Sequence, residues 1–193
     1  MGARGAKEKS NFDAGLKRVD IRLQKEIWVG DPGEALGLDV SSGTFSELQI
    51  ALARIATQGN PPCTLHVPRG NYTLTESEVI PGNVELRFER GGVFVMGNCN
   101  LTINGGIEAG RYQIFSLTGT GTVSFAANGP VSVVYPEWWG AAANWDDSSQ
   151  TGTDDVAALE KACGAHTVVD LGDRKYAVDG QMGISSDVTF ISE

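Results

Sequence analysis

Short apolar runs bounded by glycine, asparagine or proline fill the middle of the chain. In residues 84–89, VELRFE, apolar and charged residues alternate, which predicts a strand with one buried and one exposed face. Comparable runs recur from residue 63 to residue 134, and the last of them is VSVV at 131–134. The two-residue Asn-Gly turns that mark β-hairpins rarely separate these runs. The pattern therefore favours stacked strands over an antiparallel meander.

The apolar runs also recur at a drifting interval. If Leu65, Val84, Leu101 and Val123 are equivalent positions, they follow one another after 19, 17 and 22 residues. A period of about 20 residues is typical of solenoids, in which each turn buries its apolar face against the next and like strands pair in parallel. We therefore predict a mainly β protein built from solenoid turns. A jelly roll or β-sandwich is the alternative fold.

The N-terminal region has helical periodicity instead. Phe12, Leu16, Val19 and Leu23 are spaced four, three and four residues apart, which places them on one face of an amphipathic helix. The turn sequence at 31–33 ends this helix. Its apolar face either packs on its own domain or joins a helical cluster in an oligomer, where it would be a docking surface. Both alternatives stay open.

A second helical pattern precedes the first apolar runs. Thr44 or Ser46 is suited to cap it, and a buried stripe follows at helical spacing. The sequence GNPP at 59–62 ends the helix, because proline cannot continue it. We expect this helix to cap the strands that follow.

The same order of elements returns late in the chain. A helical pattern over DDVAALEKACG is followed by HTVVDLGDRKYAV and then by SSDVTFIS. Tyr72 and Tyr176 lie 104 residues apart, and so do Val84 and Val188. Two landmarks with the same offset indicate an internal duplication of a capping helix and its first solenoid turns.

These patterns divide the chain into three parts. Residues 1–32 hold the tail and the docking helix, and residues 33–135 hold a first β-helical unit with its capping helix. Residues 136–193 hold a junction, a second capping helix and the first turns of a second unit. Because a solenoid needs about three turns to bury a core, we expect either that the chain continues past Glu193 or that neighbouring molecules cover the open end of the second unit.

Charge and composition exclude some partners. The formal net charge of −9 argues against binding nucleic acid or an anionic membrane through a general electrostatic field. No apolar run approaches membrane-spanning length, and the N-terminus lacks the apolar core of a secretory signal. We therefore expect no nucleic-acid partner, no membrane insertion and synthesis in a cytoplasm.

The polar side chains do not form a recognisable catalytic pattern. The three cysteines have no CxxC spacing, and His66 and His166 have no nucleophile at a familiar distance along the chain. Asp154 and Asp155 lie where the second capping helix begins, near Thr153, and carboxylates there satisfy free backbone N–H groups. A calcium site is the alternative, although the spacing is not that of an EF-hand. We expect no catalytic residue, cofactor or metal ligand in this chain.

Three tryptophans lie close together in the junction: Trp138, Trp139 and Trp145. Aromatic faces of this kind either seal the open end of a solenoid or stack on sugar rings. Sealing is the favoured interpretation, and sugar stacking is the alternative.

The junction resembles the N-terminal part of the pectate-lyase-like superfamily of right-handed parallel β-helices. The resemblance is carried by WGA at 139–141, TDD at 153–155, TVV at 167–169 and KYAV at 175–178. The superfamily's G-x-Y turn is kept at Gly70, Asn71 and Tyr72, whereas Arg174 replaces the glycine before Tyr176. The resemblance covers residues 44–90 and 136–193. It implies right-handed parallel β-helical units, each entered by a short capping helix.

The superfamily includes polysaccharide lyases and hydrolases, and also the trimeric tailspikes and tail fibres of bacteriophages. The amphipathic N-terminal helix and the missing secretion signal favour the phage members. The resemblance then implies a homotrimeric structural and attachment module, joined through its helix to a tail or baseplate protein, made in the host cytoplasm and located in the virion. The alternatives are the N-terminal part of a polysaccharide lyase or glycoside hydrolase with a downstream active site, and a carbohydrate-binding module.

Overall fold

A computed structural model describes residues 26–28, 47–57, 59–184 and 187–192. The predicted docking residues Phe12, Leu16, Val19 and Leu23 lie outside the described residues. The predicted helix caps Thr44 and Ser46 also lie outside them.

Short strands dominate the described residues, and helices are few. The α-helices are α1 (Glu47–Thr57) and α2 (Val156–Ala165), and a 3-10 helix covers Pro136–Trp139. The strands are β1 (Glu26–Trp28), β2 (Cys63–Val67), β3 (Gly70–Leu74), β4 (Glu78–Ile80), β5 (Val84–Phe88), β6 (Gly92–Met96), β7 (Leu101–Ile103), β8 (Gly106–Glu108), β9 (Phe115–Leu117), β10 (Val123–Phe125), β11 (Val168–Asp170) and β12 (Thr189–Ile191). The prediction of a mainly β protein is confirmed.

From β2 to β10, strands three places apart along the chain pair with each other, whereas β1 pairs with β2 and β11 with β12. The sheets have the orders β1-β2-β5-β8, β3-β6-β9, β4-β7-β10 and β11-β12. Every pairing among these strands is parallel. Three consecutive strands therefore supply one strand to each of three sheets, an arrangement compatible with a β-helix-like solenoid. A jelly roll or β-sandwich would need antiparallel neighbours, so that alternative is wrong.

The register of the sheets corrects the predicted repeat. Leu65 pairs with Leu86 rather than with Val84. Leu101 lies in the third sheet, where it does pair with Val123. We call the three consecutive strands that supply one strand to each sheet a coil. The sequence pattern did not predict the register because each coil holds three similar apolar runs, and an apolar run does not reveal which of the three sheets it joins.

The interior is filled by alternate side chains of each strand. In β5, Val84, Leu86 and Phe88 are buried while Glu85 is exposed, as the alternating pattern predicts. The ring of Phe88 meets the rings of Phe94 and Phe115 edge to face, with centroids 5.1 and 6.1 Å apart. Burial of each such side chain stabilises the fold by about 1.5–3 kcal/mol.

The turns between strands also stack on one another. Asn100 Oδ1 accepts hydrogen bonds from the backbone N–H and the hydroxyl of Thr122, at 3.1 and 3.0 Å. Asn98 Oδ1 accepts the same pair of bonds from Thr120, both at 3.2 Å. These side chains satisfy backbone groups that a tight turn leaves unpaired, so each turn fixes the position of the next.

α1 packs against β3, and α2 packs against the 3-10 helix, β10 and β11. Leu48 and Ile55 of α1 are buried, and so are Leu159 and Cys163 of α2. Both helices lie within the helical patterns that the sequence predicts. In α2, however, the helix begins at Val156 rather than near Thr153.

The order of helix, strand and strand occurs twice. Cys63 of β2 pairs with Val84 of β5, and Val168 of β11 pairs with Thr189 of β12, so both pairs are separated by 21 residues. The run at 131–134 does not form the strand that its sequence predicts. Val134 instead makes an isolated parallel bridge to Val169. Because this bridge joins residues on either side of residue 136, the proposed division there stays a prediction.

Candidate functional site

The junction is built on a short 3-10 helix, Pro136–Trp139. Proline suits its first positions because its φ angle is already helical. Gly140 ends the helix in a left-handed conformation with φ of 94°, and its N–H donates to the carbonyl of Glu137 at 3.0 Å. This turn fixes the positions of Trp138 and Trp139, and of Glu137 before them.

Trp138 and Trp139 are part of the hydrophobic core. Their exposed fractions are 3% and 5%, and Trp139 packs against Phe115 with ring centroids 5.4 Å apart. The indole N–H of Trp138 donates to the carbonyl of Gly110 at 3.1 Å. Their burial leaves no ring face for a sugar, and the sealing of a solenoid end by these two side chains stays a prediction.

A network of charged residues surrounds Glu137, which is itself only 3% exposed. Arg174 Nε lies 3.2 Å from Glu137 Oε1, and the hydroxyl of Tyr176 donates to the same oxygen at 3.1 Å. Arg111 Nη1 lies 3.6 Å from Glu137 Oε2. Arg111 also pairs with Asp170 through Nη2 and Oδ2 at 2.8 Å. Two arginines thus balance the charge of the buried carboxylate, and the tyrosine donates to Oε1, whereas Oε2 is buried without a hydrogen bond among the described residues.

The network alters the pKa values of two of its members. Burial raises the pKa of Tyr176 well above its usual range, and the neighbouring charge of Glu137 adds to this effect. Burial alone would lower the pKa of Arg111, but the hydrogen bond to Asp170 and the charge of Glu137 outweigh it and raise the pKa. Tyr176 therefore stays a neutral hydrogen-bond donor and Arg111 stays charged.

Asp155 does not cap α2 through its side chain, although its sequence position predicts that role. Its carboxylate is 2% exposed and accepts hydrogen bonds from the backbone N–H groups of Ala142, Ala143 and Ala177, at 2.7, 3.2 and 3.3 Å. Asp154, which precedes the N-cap residue Asp155, accepts the first N–H of the helix, because its Oδ1 lies 3.1 Å from the N of Val156. The predicted start of the helix near Thr153 is wrong. The side chain of Asp155 bonds to the backbone at 142–143 and at 177 instead of to the first turn of the helix.

The loop at 144–153 carries Trp145 and the other two aspartates. Asp146 accepts hydrogen bonds from the hydroxyl and the N–H of Ser148 and from the hydroxyl of Ser149, and these lower its pKa. Asp147 accepts a hydrogen bond from Lys175, which lowers the pKa of Asp147. Trp145 donates its indole N–H to Asp147 at 3.0 Å. Trp145 is half-buried, whereas Trp138 and Trp139 are buried.

The charged network around Glu137 was not predicted from the sequence. A signal for Glu137 existed, because a single acid within the apolar run YPEWWGA predicts a buried charge that needs partners. No sequence signal pointed to its partners, since Tyr176 lies 39 residues further along the chain. Asp170 likewise lies 59 residues from Arg111.

His166 contacts backbone and an aromatic ring, and Cys63 and Cys163 are buried. His166 Nδ1 lies 3.0 Å from the N–H of Val168, and its ring meets Phe125 edge to face. Cys63 and Cys163 are buried, and burial raises the pKa of both thiols. Within the described ranges, no group of three or more histidine, cysteine or carboxylate side chains is arranged to hold a metal ion.

No helix among the described residues has the length and apolar character needed to cross a membrane. Comparison of the chain with protein-family models found no match. Searches of curated proteins and of solved structures also found none.

Proposed function

We propose that this chain is the attachment part of a trimeric bacteriophage tailspike or tail fibre, built from right-handed parallel β-helical units. The observation that supports the proposal most is the strand order. Three sheets each receive every third strand, and all the pairings are parallel. A rigid stack of this kind suits a protein that transmits force between a virion and a surface.

The junction adds support from its chemistry. The residues that resemble the superfamily are WGA at 139–141 and TDD at 153–155, and they are tied together by one buried side chain. Asp155 accepts hydrogen bonds from Ala142 and Ala143, which directly follow the first motif, and it precedes α2, which follows the second. The two motifs therefore act together to hold one unit on the next.

In this proposal the N-terminal helix assembles the trimer and docks it to a tail or baseplate protein. Its apolar face is Phe12, Leu16, Val19 and Leu23. Light scattering on the whole chain should give the mass of a trimer. Replacing Leu16 and Val19 by serine should shift the mass toward a monomer, because the apolar face through which the helices of the trimer would pack loses two of its apolar side chains.

A matched control replaces Lys17 and Arg18, which fall on other faces of the same helix, and should leave the mass unchanged. A monomeric unmodified chain would overturn the trimeric proposal. Cleavage of capsular or pectic polysaccharide by this chain alone would instead favour an enzyme with its site in these residues.

A further inference from the structure

A small pocket lies between helix α2 and the turn that joins β9 to β10. Its volume is about 210 Å³. Leu117, Val123 and Trp139 supply apolar walls, and Lys161 and Gly164 border the pocket from α2. Because a cavity of about 150 Å³ is enough to hold benzene, this pocket has the size for a small molecule and not for a polymer.

The turn side of the pocket is rigid and has its hydrogen-bond donors engaged. The N–H of Gly121 donates to the carbonyl of Gly97 at 2.9 Å. Thr120 and Thr122 each direct both the backbone N–H and the hydroxyl to an asparagine of the preceding coil. The turn therefore offers a ligand mainly apolar contact, and little entropy is lost in ordering it.

The helix side of the pocket is kept open by a glycine. A Cβ at Gly164 would have no atom within 4 Å, whereas one at Gly121 would lie 2.1 Å from the carbonyl oxygen of Cys99. Gly164 does not have a left-handed backbone either, and glycine is disfavoured inside a helix. Neither packing nor conformation requires this glycine, but any larger side chain would take space at the pocket.

The charge at the pocket is positive. Lys161 is partly exposed, and none of the described residues that border the pocket is acidic. Lys161 forms no hydrogen bond or ion pair with any residue that the structure describes. Its ammonium group has three donors on a flexible stem, so it is available to an anion bound among the apolar walls.

We propose that this pocket binds a small apolar carboxylate, such as an aromatic acid. The apolar body of the ligand packs against Leu117, Val123 and Trp139, and its carboxylate accepts a hydrogen bond from Lys161. A ligand rich in hydroxyl groups would leave them unpaired against these walls. The site lies within one chain, so this inference goes beyond the attachment function and does not require the trimer.

Three probes of nearly equal size and shape test the charge preference of the pocket. Benzoate is an anion, benzamide is neutral and benzamidine is a cation. Each is titrated into the whole chain, and the amide cross-peaks of Thr120 and Gly164 are followed by NMR. Benzoate should bind about threefold to fivefold more tightly than benzamide, because a partly exposed ion pair adds a modest attraction. Benzamidine should bind most weakly.

Lys161→Gln should remove this preference, so that benzoate binds no more tightly than benzamide. The affinity for benzamide should not change. Arg90→Gln is the matched control, because Arg90 is an exposed cation that does not border the pocket. It should leave the order of the three probes intact.

Gly164→Leu should weaken the binding of benzoate and benzamide by about tenfold or more, since the leucine side chain occupies the space of the ligand. Leucine is favoured over glycine in a helix, so the variant should fold. Ala157→Leu is the control for this change, because Ala157 is exposed on the same helix and does not border the pocket. If Gly164→Leu does not fold, Gly164→Ala replaces it and should give a smaller loss of affinity.

The inference is wrong if benzoate moves neither cross-peak or if benzamidine binds as tightly as benzoate. It is also wrong if Lys161→Gln keeps the preference for benzoate. Unchanged affinities in the Gly164 variants would place the bound probe outside the pocket and would overturn the proposal as well.

Discussion

At the scale of single residues, the buried carboxylate of Glu137 determines which charged groups the junction needs. Glu137 is almost inaccessible, so its charge must be balanced by protein groups instead of by water. Arg111 and Arg174 supply that balance from two separate parts of the chain. Replacing such a group by a neutral one leaves its partners without their anion, whereas the same change on the surface costs little.

Glu137→Gln should lower the free energy of unfolding by about 2 kcal/mol. The expected loss is smaller than the ~3–5 kcal/mol of a fully buried pair, because Arg174 is 42% exposed and Arg111 keeps Asp170. Urea unfolding gives the measurement. Glu108→Gln is the control at the exposed pair with Arg87, where the loss should be under about 1 kcal/mol. Equal losses in the two variants would contradict a special role for Glu137.

The loop at 144–153 should loosen in acid. The pKa of Asp146 and of Asp147 is lowered from an ordinary value of 3.8 by hydrogen bonds from Ser148 and Lys175, respectively. A carboxylate with a lowered pKa stabilises the folded loop above 3.8, and this contribution is lost as the pH falls through the folded value. The indole N–H signal of Trp145, followed by NMR, should therefore change with a midpoint below pH 3.8.

Lys175→Gln removes the hydrogen bond from lysine to Asp147, so it should raise the midpoint of this transition toward 3.8. A midpoint above 3.8 in the unmodified chain would show that these bonds do not hold the loop.

At the scale of elements, the turns between coils limit what the sequence can contain. A side chain added at Gly105 would place its Cβ 1.8 Å from the carbonyl oxygen of Val84, and one at Gly121 would place it 2.1 Å from that of Cys99. In both cases the obstacle is backbone from the preceding coil, which cannot move without separating the sheets. The glycines are needed here for close approach of the backbone.

Gly105→Ala should therefore destabilise the fold by about 3 kcal/mol through overpacking. Gly97→Ala is the matched control, because a Cβ at Gly97 would have no atom within 4 Å. The control should lose nothing and can gain a few tenths of a kcal/mol from a less flexible unfolded chain. Thermal unfolding of the two variants gives the comparison. Similar melting temperatures would mean that the coils can separate without cost.

The elements show how far the sequence could predict the fold. The alternation in VELRFE was enough to predict β5 and its buried face, and the recurring apolar runs were enough to predict the mainly β class. The alternation was not enough to predict register, since Leu65 and Val84 are equally apolar but only Leu86 lies opposite Leu65.

For the candidate site, TDD at 153–155 predicted a helix start. The separate roles of Asp154 and Asp155 depend on backbone that folds back from residues 142, 143 and 177.

At the scale of the whole molecule, one hydrophobic core joins the parts before and after residue 136. The core cluster contains Phe115 of β9, Trp138 of the junction, Ala162 of α2 and Val169 of β11. Val134 is bonded to the strand beyond the junction on both sides, since its N–H donates to Val168 and its carbonyl accepts from Asp170. Because the two parts share these contacts, neither can unfold without exposing the other.

The chain should therefore unfold in one transition over the described core. Far-UV circular dichroism reports the strands, and tryptophan fluorescence is sensitive to the buried indoles of Trp138 and Trp139. The two signals should give the same urea midpoint, because a two-state protein loses both at once. Glu137→Gln should lower both midpoints together, since the junction is shared by both parts. A fluorescence transition that precedes the loss of strands, in either protein, would show that the junction is a hinge between two independently stable units.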